Sequence, residues 1–176
     1  MKRRIEVVLV VLTALLVLGA PRVWGQDDDD DDDEDQATLL KALPQARVSL
    51  EQALVASEHE GTPISAKFEM EDGKLQLSVY TMKGDKFFEV VVDHVGGKVV
   101  KVEAITSGGD LAAAKAQSEA MTKAKKSLRS VVAGAVTAHE GFRAFNVEPA
   151  LKDGHPSAEI SLAKGDETKD VTVTLE

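Results

Sequence analysis

The chain has 176 residues, 43% of them hydrophobic, with 21 basic and 30 acidic side chains and no cysteine. That length suits one domain or two very small ones. A formal charge of −9 argues against a nucleic-acid partner, whose phosphates would be repelled, and the missing cysteine excludes disulfides, thiol catalysis and thiolate metal sites together.

Lys2, Arg3 and Arg4 form a basic start. Val7 to Ala20 is an uncharged apolar run, and Val23 and Gly25 stand just ahead of Gln26. This is the layout of a cleavable secretory signal peptide over residues 1–25. The run is shorter than the roughly 20 residues a membrane span needs, so no span is expected in the mature chain. Cleavage would remove four bases and one acid and deepen the formal charge to −12. Residues 26–36 contain Asp27 to Asp33 without a break, then Glu34 and Asp35. Such a run repels itself and buries nothing, so it is predicted to be disordered. Carboxylates attract hard cations, but nothing here fixes the carbonyls and the turn that a cation site needs.

Gln36 to Leu43 reads as a short helical piece stopped by Pro44. A clearer helix starts at Ser49, where Ser49 and Gln52 fit a capping box. Leu50, Ala53, Leu54 and Ser57 share one of its faces, and Gly61 and Pro63 end it. Four strands are predicted next. Ile64, Ala66, Phe68 and Met70 alternate with polar residues, as do Leu75, Leu77 and Val79. The third strand carries Phe88, Val90 and Val92 on one side and Phe87 and Val91 on the other. The fourth runs from Lys98 to Glu103. Asp72-Gly73, Gly84-Asp85 and Gly96-Gly97 supply turns that accept positive φ. Connections this short join antiparallel neighbours.

Gly108 and Gly109 break the chain, and Asp110 is placed to cap an alanine-rich helical stretch reaching His139, as one helix or two. Its first half is polar nearly all round and reads as a solvated connector. From Leu128 it becomes amphipathic through Leu128, Val131, Val132, Ala135 and His139. Earlier landmarks then return. Ser49-Leu50 matches Ser127-Leu128, His59-Glu60-Gly61 matches His139-Glu140-Gly141, Asp72-Gly73 matches Asp153-Gly154, and Lys83-Gly84-Asp85 matches Lys164-Gly165-Asp166. The second half is therefore read as a helix over 127–139 and strands near 143–148, 157–162 and 169–175. Such internal similarity usually means one supersecondary unit used twice. The expected fold class is α+β. Two repeated units each pack a helix on a small antiparallel meander, of four strands and then three, and an alanine-rich helix over 106–126 joins them.

The helix start SLEQAL, the strand EDGKLQLSVY and the hairpin FFEVVVDHVGGKVV together resemble a PepSY domain over residues 46–105. Asp93, Gly97 and Lys98 match the Asp, turn, Gly-Lys ending of that family. Residues 127–176 resemble a degenerate PepSY unit without that ending. PepSY domains occur in propeptides of thermolysin-like metallopeptidases and as free-standing exported bacterial proteins. The resemblance thus implies an exported, non-enzymatic binding module, periplasmic or extracellular, that inhibits or modulates a peptidase or binds another envelope protein. Family membership alone does not fix a site.

No residue is assigned to catalysis, to a cofactor or to a metal. A zinc-protease helix needs a second His four residues after the first, but Pro63 follows His59 and Arg143 follows His139 at that spacing. Both His-Glu pairs are read as helix ends, where a His suits the dipole and the next Gly a C-cap. No G-x-S-x-G elbow is present. The candidate protein-binding feature is the last strand, through Val171, Val173 and Leu175, because an unpaired edge accepts a partner strand by main-chain hydrogen bonds. The alternative function is an envelope metal or small-ligand binding or sensing protein that uses the acidic run and the His residues.

Overall fold

The computed structural model describes residues 30–176; the signal-peptide reading and residues 26–29 lie outside them. Helix α1 spans Asp30–Ala42, so the acidic run expected to be disordered is helical from Asp30 onward. The helix is anchored at its other end, where Leu39 and Leu40 pack against the core. A single 3-10 turn, Leu43–Gln45, carries Pro44 at its start. Helix α2, Leu50–Ser57, opens on a complete capping box: the Gln52 amide donates to Ser49 Oγ at 3.3 Å and the Ser49 amide to Gln52 Oε1 at 2.8 Å. Its buried residues are Leu50, Ala53, Leu54 and Ser57, the predicted face.

Strands β1 (Thr62–Glu71), β2 (Lys74–Lys83), β3 (Lys86–Val92) and β4 (Val99–Ile105) follow as antiparallel neighbours. After helices α3 (Gly108–Lys123) and α4 (Leu128–Ala138) come β5 (Arg143–Lys152), β6 (His155–Lys164) and β7 (Glu167–Thr174). The seven strands among the described residues form one antiparallel sheet in the order β4-β3-β2-β1-β5-β6-β7, with β1 and β5 joined through the pairs Ala66↔Val147 and Lys67↔Asn146. The architecture is mixed α+β, with four α-helices among the described residues. In the β1–β2 turn, Asp72 and Gly73 both take positive φ, 50° and 72°. That conformation matches the strand twist of a two-residue hairpin and favours the Asp-Gly pair.

The main core lies on one sheet face. There Ala66, Phe68, Leu77, Val79, Val90, Val147, Ile160 and Leu162 meet the apolar faces of α2 and α4. The buried residues of α4 are Leu128, Val131, Val132 and Ala135, again those its periodicity predicts. The stretch 108–138 is two helices, interrupted where Ala124 takes an extended conformation.

The expected solvated connector is corrected. Helix α3 lies on the other face of the sheet, with Ala114, Gln117 and Ala120 buried. Ser65 Oγ donates to Gln117 Oε1 at 2.7 Å, and Gln117 Nε2 donates to Glu148 Oε1 at 3.1 Å. Ser65 and Ala66 are consecutive in β1, so their side chains project to opposite faces. A second small core of Ile64, Phe87 and Ala114 lies on the α3 side. Beside that core the sheet face beneath α3 is polar, with Ser65, Lys67, Asn146 and Glu148, so a polar helix can cover it through small alanines and one satisfied glutamine. Nor does Asp110 cap α3: the N-cap is Ser107, without a side-chain hydrogen bond, and Asp110 sits in the first turn. No helix among the described residues is long and apolar enough to cross a membrane.

Candidate functional site

The residues expected to form the binding edge divide in the structure. Strand β7 is terminal in the sheet, beyond β6. Val171 and Val173 are partly buried and pack on the margin of the main core. Leu175 is corrected from edge residue to core residue. Its side chain is fully buried, its amide donates to the Pro156 carbonyl at 2.9 Å, and its carbonyl accepts the amides of Lys125 and Lys126 at 2.7 and 3.0 Å. Proline has no N–H to offer the Leu175 carbonyl, which leaves that carbonyl free for the start of α4.

These bonds set the polarity of the strand. Opposed residues in an antiparallel ladder alternate between hydrogen-bonded and non-bonded pairs. Because the Leu175 amide addresses β6, so do those of Val173 and Val171. Asp170, Thr172 and Thr174 therefore turn their main-chain groups outward. Lys126 Nζ takes one of these, the Thr174 carbonyl, at 3.1 Å. The valines contribute side-chain packing, and the threonines and Asp170 contribute the open main chain.

The four histidines are dispersed. His139 ends α4, and its Nδ1 lies 2.8 Å from the Ala135 carbonyl. Gly141 follows with φ of 83°. His155 Nδ1 pairs with Glu176 Oε1 at 2.7 Å; that bond, with the electrostatic effect of the same ring, holds the Glu176 carboxyl below its usual range. His59 lies in the turn after α2. His94 is in the turn before β4, and its carbonyl accepts the amides of Arg47 and Val48 at 2.8 and 3.0 Å. No group of three or more His, Asp or Glu able to hold a metal ion occurs among the described residues.

Asp93, which the family resemblance singles out, builds this turn. Its Oδ1 accepts the Val95 amide at 3.0 Å, its carbonyl accepts the Gly97 amide, and its own amide donates to the Lys98 carbonyl. Amides of Val95 and Gly96 hold its carboxyl below the usual range. A side chain at Gly96 would place Cβ 2.6 Å from Asp93 Oδ2.

Arg143 was passed over in the sequence except as the wrong residue for a zinc site. At the start of β5 it gathers three carbonyls: Nη1 donates to Leu43 at 3.1 Å and to Ala46 at 2.8 Å, and Nη2 to Val48 at 2.6 Å. Its guanidinium lies 4.9 Å from the centroid of the Phe68 ring. Burial draws its pKa down, and Glu51 opposes that shift. A faint signal existed, since Arg143 stands where the landmarks of the first half place Thr62.

Two clefts flank the hairpin ends. One of about 720 Å³ opens between the end of α2, the β2–β3 turn and the start of α4. The other, about 210 Å³, involves Leu40, Leu43, Arg143 and Lys164.

No family model matches the chain, and no curated protein does. Among solved structures, a "putative lipoprotein" of Clostridium difficile 630 is similar at 10% identity and a TM-score of 0.40, over 68% of this chain and 79% of that one.

Proposed function

We propose that the chain is an exported, non-enzymatic binding module. On this reading it is a tandem of a PepSY-like unit over 46–105 and a degenerate one over 127–176, joined by 106–126, and it captures a strand of a partner protein along β7. The observation that carries the binding role is the outward main chain of Asp170 and Thr172, which on the edge strand β7 has no partner strand among the described residues. Such an edge is a ready template for strand addition.

The tandem reading draws support from details that recur at one spacing. Strands β1, β2 and β3 begin at Thr62, Lys74 and Lys86, and β5, β6 and β7 begin at Arg143, His155 and Glu167, 81 residues on in each case. The register shift between Pro63 and Ser65 returns between Ala144 and Asn146. Positive φ at Asp72, Gly73 and Gly84 returns at Asp153, Gly154 and Gly165. The His94 carbonyl takes two amides ahead of α2, as the Leu175 carbonyl takes two ahead of α4. Ala66 pairs across the β1–β5 seam with Val147, its own counterpart, as a local two-fold axis requires.

A secreted or envelope peptidase is the partner class that the resemblance implies. The test is a titration of the full chain against a thermolysin-like metallopeptidase and against the producing organism's secreted peptidases. Saturable inhibition near equimolar ratio, with the chain left intact, is expected. Thr172→Pro should abolish it, because proline there removes an outward amide and spares the ladder to β6. Digestion of the chain, or unchanged inhibition by the variant, sinks the proposal.

A further inference from the structure

The larger cleft has apolar walls from Leu54, Pro63, Met82, Met121 and Leu128. We propose that it binds an amphiphilic carboxylate, with the acyl chain between these walls and the headgroup at the first turn of α4. Its volume, about 720 Å³, falls within the roughly 300–1,000 Å³ of small-molecule sites. Two unbranched methionine side chains let the walls adapt to a flexible chain.

Charge selects the headgroup. Lys83 and Arg129 line the cleft, both are exposed, and neither has an ion-pair partner among the described residues. Arg129 stands in the first turn of α4, which holds no acidic residue. A cation there opposes the helix dipole, which favours negative charge at that end. The Ser127 side chain serves the Ser130 amide, so the amides of Leu128 and Arg129 are without an acceptor among the described residues. An anion at this point would relieve the cation and satisfy the amides together. Glu58 lines the cleft at the end of α2, and its negative charge biases a carboxylate toward the α4 side.

The smaller cleft is filled differently; this comparison rests on the tandem reading. There Arg143 occupies the place of Thr62 and fills space with its own side chain, anchored on three carbonyls. The first turn of α2 carries Glu51 where α4 carries Arg129. The Arg143 charge is thus taken up by protein carbonyls. The first cleft has threonine in place of the filling arginine and a cation in the helix turn where α2 has Glu51, which leaves it wide, with Lys83 and Arg129 at its rim. A local rule broken in this way, without an internal compensation, marks a functional site more often than a structural one.

The test is a titration of the full chain with decanoate, followed on the methionine methyl groups by carbon–proton NMR. Met82 and Met121 should shift saturably while Met70, on β1, stays still. Arg129→Glu should weaken binding by about tenfold or more, the equivalent of one charge-assisted contact. Thr62→Arg should close the cleft and remove the shifts, with its melting temperature showing that the fold survives. Every variant carries the same N-terminus, so a loss maps to the cleft. Uniform shifts of all methionines, an Arg129→Glu titration like the wild type, or equal binding of decylammonium would each overturn the proposal. Because the readout needs no peptidase, its failure leaves the β7 reading untouched, and the converse also holds.

Discussion

Replacing Arg143 by alanine tests how the segment ahead of α2 is held. The guanidinium makes three hydrogen bonds, to the carbonyls of Leu43, Ala46 and Val48. Bonds to a charged group contribute about 1.5–3 kcal/mol each when fully buried. Arg143 is only half-buried, so water can replace part of each bond, and about 1 kcal/mol apiece is the fitting figure. Its contact with the Phe68 ring adds about 0.5–1 kcal/mol. Arg143→Ala should therefore cost about 3–4 kcal/mol in urea unfolding, with the melting temperature falling by about 2–4 °C per kcal/mol for a chain of this size. Hydrogen exchange localises the loss: the amides of Arg47 and Val48, which donate to the His94 carbonyl, should lose protection first. Arg143→Lys should recover no more than about a third, because an ammonium lacks the planar fork that serves three carbonyls at once. A cost below about 1 kcal/mol for alanine, or a lysine variant equal to wild type, refutes the argument.

Gly61→Ala should destabilise by about 1–3 kcal/mol by overpacking, since its Cβ would lie 2.6 Å from the Met82 carbonyl oxygen. Gly134→Ala, inside α4 with open space around it, should instead stabilise by about 1 kcal/mol; thermal unfolding of the pair reads both signs. Tyr80 is the chain's single tyrosine, and burial pushes its phenol up to about 12 against the opposing charge of Lys67. Ultraviolet titration should find that midpoint. The raised folded-state value means this contribution to stability is complete below pH 10 and is lost as pH rises toward 12; a midpoint near 10 would place the ring in water. Leu175→Ala should cost about 2–5 kcal/mol in urea unfolding, as for other fully buried leucines, whereas Val171→Ala on the margin should cost less.

The elements were legible in the sequence because their signals are local. Period-two alternation and the Asp-Gly and Gly-Asp turns locate the strands, and Ser49 with Gln52 locates the start of α2. The seating of α3 was not legible, since its burial depends on the polar face of the sheet. No periodicity within 108–123 announces that Gln117 meets Ser65 and Glu148. The helicity of Asp30 onward was hidden in the same way, because charge repulsion can be read locally and the anchorage of Leu39 and Leu40 cannot. The candidate edge was half legible: the last strand was identifiable, but which residues face outward depends on the Leu175 amide reaching Pro156. Arg143 is the hardest case, because its carbonyl partners lie 95 to 100 residues away in sequence.

On the tandem reading proposed above, the differences between the halves bear more on function than the correspondences do. The matching turns, bulges and helix faces are what folding needs, and their retention has a structural explanation. Position 62 against 143, and position 51 against 129, have none of that kind. An arginine at 143 fastens the lead-in to α2 and narrows its cleft, whereas threonine at 62 leaves the other cleft wider. Glu51 suits the N-terminus of its helix, and Arg129 opposes the N-terminus of its own. If the two units served only to pack on each other, drift at these positions would tend toward filling space and matching the dipole. Both departures in the first cleft go the other way: Thr62 leaves the space open, and Arg129 brings a cation to the start of a helix. Asp170 and Thr172, on the outer edge of β7, do not line this cleft, so strand capture and amphiphile binding each have their own measurement.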